Sequence, residues 1–227
     1  MFDYGNVTHR GRAAPRRLTR RALVLLLRCL VRLEVEGLDN VPSSGSFILV
    51  ANHLHVLDPA IGLLLVPRRR IVGIVKEKWR RPPFGWLLAA MGDVLYVGGS
   101  SPRSMRQAAE VLRAGDVLAI LPEGTRSRTG ALGRGQPGVA ALAARTGAPI
   151  LPAAAHGQEQ AGRWWRRLRR VPVHVRIGTP LVLSGGRPTR DELQAATDDA
   201  MRAIARLLPP PYRGVYADRP ERRTDAT

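Results

Sequence analysis

Apolar positions in this chain follow two rhythms that alternate along its length. Short unbroken runs at Phe47–Ala51, Ile71–Val75, Val94–Val97, Val117–Leu121 and Pro149–Ala155 have the length and composition of buried strands, and Val171–Ile177 adds another. Between them the spacing changes to three and four. Met105, Ala108, Ala109 and Leu112 put one apolar stripe on a helix over Ser104–Ala114, with Gly115 as its stop. Similar stretches predict helices at Pro59–Val66, Trp86–Met91 and Val139–Thr146, the first opened by Asp58-Pro59 because proline is tolerated in a first turn. Thr189, with Glu192 three residues on, forms a capping box ahead of a long amphipathic helix to Leu208, and Pro209-Pro-Pro ends it. Strands alternating with helices predict an α/β fold, a single domain with a layered mixed sheet flanked by helices.

The first predicted helix, Leu18–Leu33, is of a different kind. Arg17, Arg21, Arg28 and Arg32 recur at spacings of 4, 7 and 4 and share one face, while Leu23, Leu26, Leu27, Leu30 and Leu33 share the other. Such a helix suits the headgroup boundary of an anionic bilayer. It equally suits a helix packed on the domain with a solvated basic face. No apolar run approaches the roughly 18 residues of a membrane-spanning helix, and no signal-peptide pattern is present. The organisation expected is a flexible basic arm at 1–17, a domain at 18–208 that includes the surface helix 18–33, and a C-terminal tail at 209–227.

Composition narrows this further. With 227 residues, 44% apolar and 24% charged, the chain can bury one sizeable core, which excludes disorder throughout. Lys+Arg number 36 against 18 Asp+Glu, a net charge of +18; Lys76 and Lys78 are the only lysines, which leaves 34 arginines. A chain this basic should associate with polyanions, either nucleic acid or an anionic membrane surface. Arg163-Trp-Trp-Arg-Arg-Leu-Arg-Arg170 and Lys78-Trp-Arg-Arg-Pro-Pro-Phe84 set tryptophan among cations, as membrane interfaces and single-stranded nucleic-acid sites both do. The single Cys29 excludes an internal disulfide and a zinc site built mainly from cysteine, and fits a reducing compartment.

Two segments carry candidate chemistry. In Ala51-Asn-His-Leu-His-Val-Leu-Asp-Pro59 a predicted strand ends and a helix begins, the place where α/β sheets put their sites. His53 and Asp58 can meet across such a loop. A carboxylate bonded to one imidazole nitrogen fixes the tautomer and leaves the other nitrogen as a general base. The same residues also fit a loop histidine and a helix-capping aspartate, and His55, alternating with His53, reads as structural. The second segment, Leu121-Pro-Glu-Gly-Thr-Arg-Ser127, follows the strand Val117–Leu121. Its glycine permits close backbone approach, its threonine offers a hydroxyl, and its arginine offers a planar fork suited to phosphate. A surface turn with a solvated arginine is the alternative.

Together, Asn52-His53 through Asp58-Pro59 and Pro122-Glu-Gly-Thr-Arg-Ser127 about seventy residues on resemble the motifs of the glycerolipid acyltransferase family typified by lysophosphatidic acid (1-acylglycerol-3-phosphate) acyltransferase. Lys76-Glu77 with Pro83-Phe-Gly-Trp86, Arg126-Ser-Arg-Thr-Gly130, and Thr146-Gly-Ala-Pro149 with Ile150-Leu-Pro152 extend the resemblance over about Glu34 to Leu183. The resemblance implies acyl transfer from a thioester, acyl-CoA or acyl carrier protein, to a lysophospholipid hydroxyl, with phosphatidic acid as the product expected first. His53 would be the general base and Asp58 its orienting partner. Glu123, Gly124, Thr125 and Arg126 would shape the acceptor site, with Arg126 on the phosphate. No metal, no cofactor beyond the thioester co-substrate and no covalent acyl-enzyme are implied. Amides at the start of the helix after His53 are expected to face the tetrahedral oxyanion.

The sequence departs from the family pattern at two points. The second motif's usual arginine, six residues after its glycine, is replaced by Gly98, with Arg103 five residues beyond; and Gln136-Pro-Gly138 lacks the third motif's usual lysine. A different lipid acceptor therefore stays open, as does a non-catalytic basic module that binds membrane or nucleic acid. The expected partners are the two substrates and an anionic membrane surface, with nucleic acid disfavoured. The expected location is cytoplasmic, peripheral on the inner face of the cell membrane.

Overall fold

The structure, a computed structural model, describes residues 13–65, 69–82, 85–86, 88, 93–99, 101–183 and 188–217. Among these residues seven strands form one sheet: β1 (Val31–Glu36), β2 (Phe47–Ala51), β3 (Ile71–Lys76), β4 (Asp93–Val97), β5 (Val117–Ile120), β6 (Ile150–His156) and β7 (Val171–Ile177). Their order is β1-β7-β6-β2-β5-β3-β4. All neighbours are parallel except β6 and β7, so the sheet is mixed, as expected. The helices are α1 (Ala13–Leu30), α2 (Asp58–Leu65), α3 (Pro102–Arg113), α4 (Gly138–Thr146), the short α5 (Ala161–Trp165) and α6 (Arg190–Leu207).

The two faces of the strands bury two separate cores, because successive side chains point to opposite sides. Ile48, Val50, Leu118 and Ile150 pack under α3, α4 and α6. Phe47, Leu49, Val117 and Leu151 pack under α1 and α2 through Leu27, Ile61 and Leu65. Such two-sided burial explains the unbroken apolar runs of the central strands. Thr189 and Glu192 form the predicted capping box, with the Thr189 amide donating to Glu192 Oε2 at 2.6 Å and the Glu192 amide to Thr189 Oγ1 at 3.3 Å.

The N-terminal segment differs from its expectation. The helix starts at Ala13, inside the segment read as an arm, and stops at Leu30 rather than Leu33. Val31–Glu36 is instead a strand paired in parallel with β7, since Val31, Leu33 and Val35 alternate inward with Arg32, Glu34 and Glu36 outward. Arg32 therefore leaves the helix face and pairs with Glu34 at 2.9 Å on the strand. Leu23, Leu27 and Leu30 turn into the core, whereas Leu26, placed with them by spacing, is 54% exposed. The Arg163–Arg170 patch is partly structural: Trp165 Nε1 donates to the Leu30 carbonyl at 3.2 Å and the Arg170 guanidinium to the Val31 carbonyl at 2.8 Å, pinning the α1–β1 corner.

The tail begins later than residue 209. Tyr212 and Tyr216 pack on the core under α6, and backbone bonds tie residues 212 and 215 to Leu132. The arm through residue 12, most of the predicted helix Trp86–Met91 and the polar tail from 218 lie outside the described residues.

Two connections set the site. The chain leaves β2 through α2 on one face of the sheet and leaves β5 toward α4 on the other. Because β2 and β5 are neighbours, their carboxyl ends open a crevice between the diverging connections.

Candidate active site

Both candidate segments begin where these neighbouring strands end. Val50 stands beside Ile120 in the ladder, so the residues that follow, Asn52-His53 on one strand and Pro122-Glu123 on the other, emerge side by side. The Ser127 amide donates to the His53 carbonyl at 2.8 Å, and the His53 amide donates to Glu123 Oε1 at 3.1 Å. Sheet pairing thus joins two motifs seventy residues apart.

Asp58, the first residue of α2, reaches back over its own loop. Its Oδ2 accepts from His53 Nδ1 at 2.7 Å and from the amides of Leu54 and His55 at 2.8 and 2.9 Å. Its side chain is only 4% exposed against 18% for His53. A buried carboxylate with three donors on one oxygen holds the imidazole in one orientation, with the proton on Nδ1 and Nε2 free to accept. Asp58 closes the loop and contacts His53, and its Oδ2 accepts from upstream amides, where a helix-capping aspartate would accept from those of α2. His55 is structural, its Nδ1 accepting from the Leu57 amide at 3.4 Å.

The amides of residues 54, 55, 57 and 58 are all engaged within this loop. The tight turn that orients His53 thus occupies these four amides.

Glu123 shapes the site by bracing it. Its two oxygens accept from the His53 amide and from the Gly133 amide at 2.9 Å, linking the His53 loop to the loop that precedes α4. Burial pushes its carboxyl above the usual carboxylate range, and the two amides and nearby His53 oppose that shift. Gly124 takes a left-handed φ of 69° that favours glycine, and turns the chain outward. Thr125 and Arg126 follow on the exposed rim, and Arg126 has no side-chain partner among the described residues. Gly98 ends β4 at the sheet edge; a Cβ there would meet nothing within 4 Å.

Two buried residues of the site had no role assigned from the sequence. Asn52 forms a two-bond clasp with Ala155 on β6, its Nδ2 donating to the carbonyl and its Oδ1 accepting from the amide, each at 2.8 Å. Gln158, just past β6, donates from Nε2 to Asp58 Oδ1 at 3.1 Å. Asn52 was legible as the first polar residue after an apolar run, but Gln158 lies one hundred residues from its partner. Among the described residues no group of three or more His, Cys, Asp or Glu side chains could hold a metal ion. A cavity of about 580 Å³ lined by Arg134, Arg202, Arg206 and Arg213 lies elsewhere, touching none of these residues.

The arrangement sets a histidine that can act as a base next to an exposed arginine, and comparison with known proteins gives it a context. Over 126 residues the chain is 30% identical to a 1-acyl-sn-glycerol-3-phosphate acyltransferase of Borreliella burgdorferi, covering 54% of this chain and 50% of that protein. It is 27% identical over 197 residues to the alpha form of the enzyme so named from Homo sapiens, covering 83% of this chain and 69% of that one. The crystal structure of PlsC from Thermotoga maritima, a 1-acyl-sn-glycerophosphate (LPA) acyltransferase, matches with a TM-score of 0.63 at 25% identity, over 88% of this chain and 84% of that one. The chain spans half the length or less of several curated relatives it matches. A family model, Acyltransferase, matches residues 32–156, a stretch that contains His53, Asp58, Glu123 and Arg126 and amounts to more than half of the molecule. With that span, and with the PlsC-like sheet beneath it, the chain belongs to the acyltransferase family.

Proposed function

We propose that this protein transfers a fatty acyl group from a thioester to a lysophospholipid hydroxyl, with 1-acylglycerol-3-phosphate as acceptor and phosphatidic acid as product. The observation that carries the reading is the His53–Asp58 pair at the end of β2, whose Nε2 has no hydrogen-bond partner among the described residues, with Arg126 exposed on the neighbouring loop. The acceptor hydroxyl gives its proton to His53 Nε2 as its oxygen bonds to the thioester carbonyl carbon. The tetrahedral oxyanion then collapses, the C–S bond breaks, and the departing thiolate takes the proton from the imidazolium. The likeness to proteins named for this acceptor supports the substrate class. The open space at Gly98 favours a second reading, in which a lipid with another head group is acylated.

The reading includes a peripheral position on an anionic membrane. No helix among the described residues is long and apolar enough to cross a bilayer. Leu25 and Leu26 on α1 are 61% and 54% exposed, and Leu168, in the turn that clasps the end of α1, is 97% exposed. Arg21, Arg28, Arg163, Arg166, Arg167 and Arg169 are exposed around them. Exposed leucines ringed by arginine support insertion at a headgroup boundary.

Radiolabelled acyl-CoA and acyl carrier protein thioesters, offered with a lysolipid panel and read by thin-layer chromatography, test the function. Labelled phosphatidic acid from the native protein and its loss in His53→Ala are expected. Equal turnover by a folded His53→Ala protein refutes the mechanism, and label in another lipid selects the second reading. Co-sedimentation with anionic vesicles should fall when Leu25 and Leu26 become serine.

A further inference from the structure

The Asp58 carboxylate is held from two directions, and only one of them belongs to its own loop. Oδ2 takes the three donors from His53, Leu54 and His55; Oδ1 takes Gln158 Nε2. We propose that Gln158 is a positioning residue for the His53–Asp58 pair, locking the rotation of the carboxylate and spreading its charge away from the imidazole. The proposal rests on His53 as the base. Gln158 lies beyond the stretch matched by the family model, which ends at 156.

Four observations converge. Gln158 is wholly buried, an unusual place for a glutamine unless its amide is used. The amide orientation is forced: Nε2 faces two acceptors, Asp58 Oδ1 at 3.1 Å and the Ala155 carbonyl at 3.2 Å, and turning it over would set oxygen against oxygen twice. Its own Oε1 has no hydrogen-bond partner among the described residues. A methionine would fill the same volume without that cost, so packing alone does not account for the residue. Finally, the backbone aims it. Gly157 takes a φ of 101°, and a Cβ there would overlap the Pro172 carbonyl oxygen, so the turn after β6 has one path. The Asn52–Ala155 clasp ties that turn to the His53 loop.

The physical consequence concerns proton affinity as well as geometry. A donor on Oδ1 stabilises the ionised carboxylate. Without it the charge concentrates on Oδ2 and the carboxylate can rotate. Gln158→Met removes the donor and keeps the shape. Gln158→Glu keeps a donor only while protonated; once ionised it sets two buried carboxylates against each other.

The test measures kcat and KM across pH for both variants, together with an NMR titration of the His53 ring assigned by difference with His53→Ala. For Gln158→Met, kcat should fall roughly tenfold with both KM values within about twofold, and the NMR titration curve of the His53 ring should differ from the native one. For Gln158→Glu, activity should be greatest at acidic pH and decline where the native enzyme is still rising. A folded Gln158→Met protein with native kcat and native His53 titration overturns the proposal. If Gln158→Met fails to fold, a native-shaped pH profile for Gln158→Glu overturns it alone. A shifted His53 titration alongside an active His53→Ala protein would keep the positioning role and reject the base.

Discussion

Replacing Asp58 with asparagine separates what the carboxylate does for the fold from what it does for His53. The amide has one acceptor oxygen where the carboxylate has two. The Leu54 and His55 amides, at 2.8 and 2.9 Å, belong to the backbone and cannot turn away, so the asparagine oxygen must occupy the Oδ2 position. There it still accepts from His53 Nδ1, which preserves the tautomer with Nε2 free. The new NH2 faces Gln158 Nε2, donor against donor; turning the Gln158 amide over relieves that clash but sets its Oε1 against the Ala155 carbonyl. The fold therefore loses about 1–3 kcal/mol, as charged bonds become neutral ones and the Gln158 amide is left with one mismatched contact. Catalysis loses the charge that steadies the imidazolium. A hydrogen bond to a charged group is worth about 1.5–3 kcal/mol and a neutral one about 0.5–1.5, a difference of about 1–2 kcal/mol. That converts to roughly a 5- to 30-fold fall in kcat, since each 1.4 kcal/mol or so is tenfold. Initial rates with labelled acyl-CoA and lysophosphatidic acid, alongside a thermal melt, give both numbers. A thousandfold loss with native melting would show that asparagine had turned its NH2 to His53, refuting the fixed orientation. A native rate would show that Asp58 serves only the fold. Asp58→Ala is the less informative change, because it strands the Gln158 amide and two backbone donors in a buried loop, at about 1–3 kcal/mol each.

Arg126→Ala should raise KM for a phosphorylated acceptor about 10- to 100-fold, from the loss of one charge-assisted bond, and leave the thioester KM unchanged; equal effects on phosphorylated and unphosphorylated acceptors would show that it does not read phosphate. Gly98→Arg should fold normally, since its Cβ meets open space and its φ is not left-handed, and should lower KM for the phosphorylated acceptor; an unchanged KM would place the head group away from the end of β4. Glu123→Ala strands the His53 and Gly133 amides and should cost about 3 kcal/mol in a denaturant midpoint, with kcat falling as the His53 loop slackens. His156, stacked on His174 at 5.0 Å, is held below the usual histidine range chiefly by burial and next by the charge of His174. A base depressed in the folded state contributes stability that is full above its unfolded value of about 6.5 and is lost as pH falls through the lower folded value. The melting temperature should therefore drop as pH falls below about 6.5, and His156→Gln should flatten that drop; an identical slope in the variant would refute the assignment.

How much of this was legible beforehand depends on the range of the interaction concerned. Strand cores such as Phe47–Ala51 and Val117–Ile120, the Thr189–Glu192 cap and the loop from His53 to Asp58 are written within a few residues, because periodicity, capping and tight turns are local. The α1–β1 junction defeated that reading. Leu30 to Val35 continues a leucine-rich helix without a turn residue, and only pairing with β7 turns the alternation of Val31, Leu33 and Val35 into a strand. Nor could spacing say which leucines of α1 are covered, since that is decided by the sheet beneath Leu27 and its absence beneath Leu26. The site divides in the same way. His53, Asp58, Glu123 and Arg126 were recognisable as residue types in two short segments. That Glu123 turns inward to hold the His53 amide, and that Gln158 reaches Asp58 from one hundred residues away, follow from β5 and β6 flanking β2, an order chosen by the burial of the whole sheet rather than by any segment of the chain.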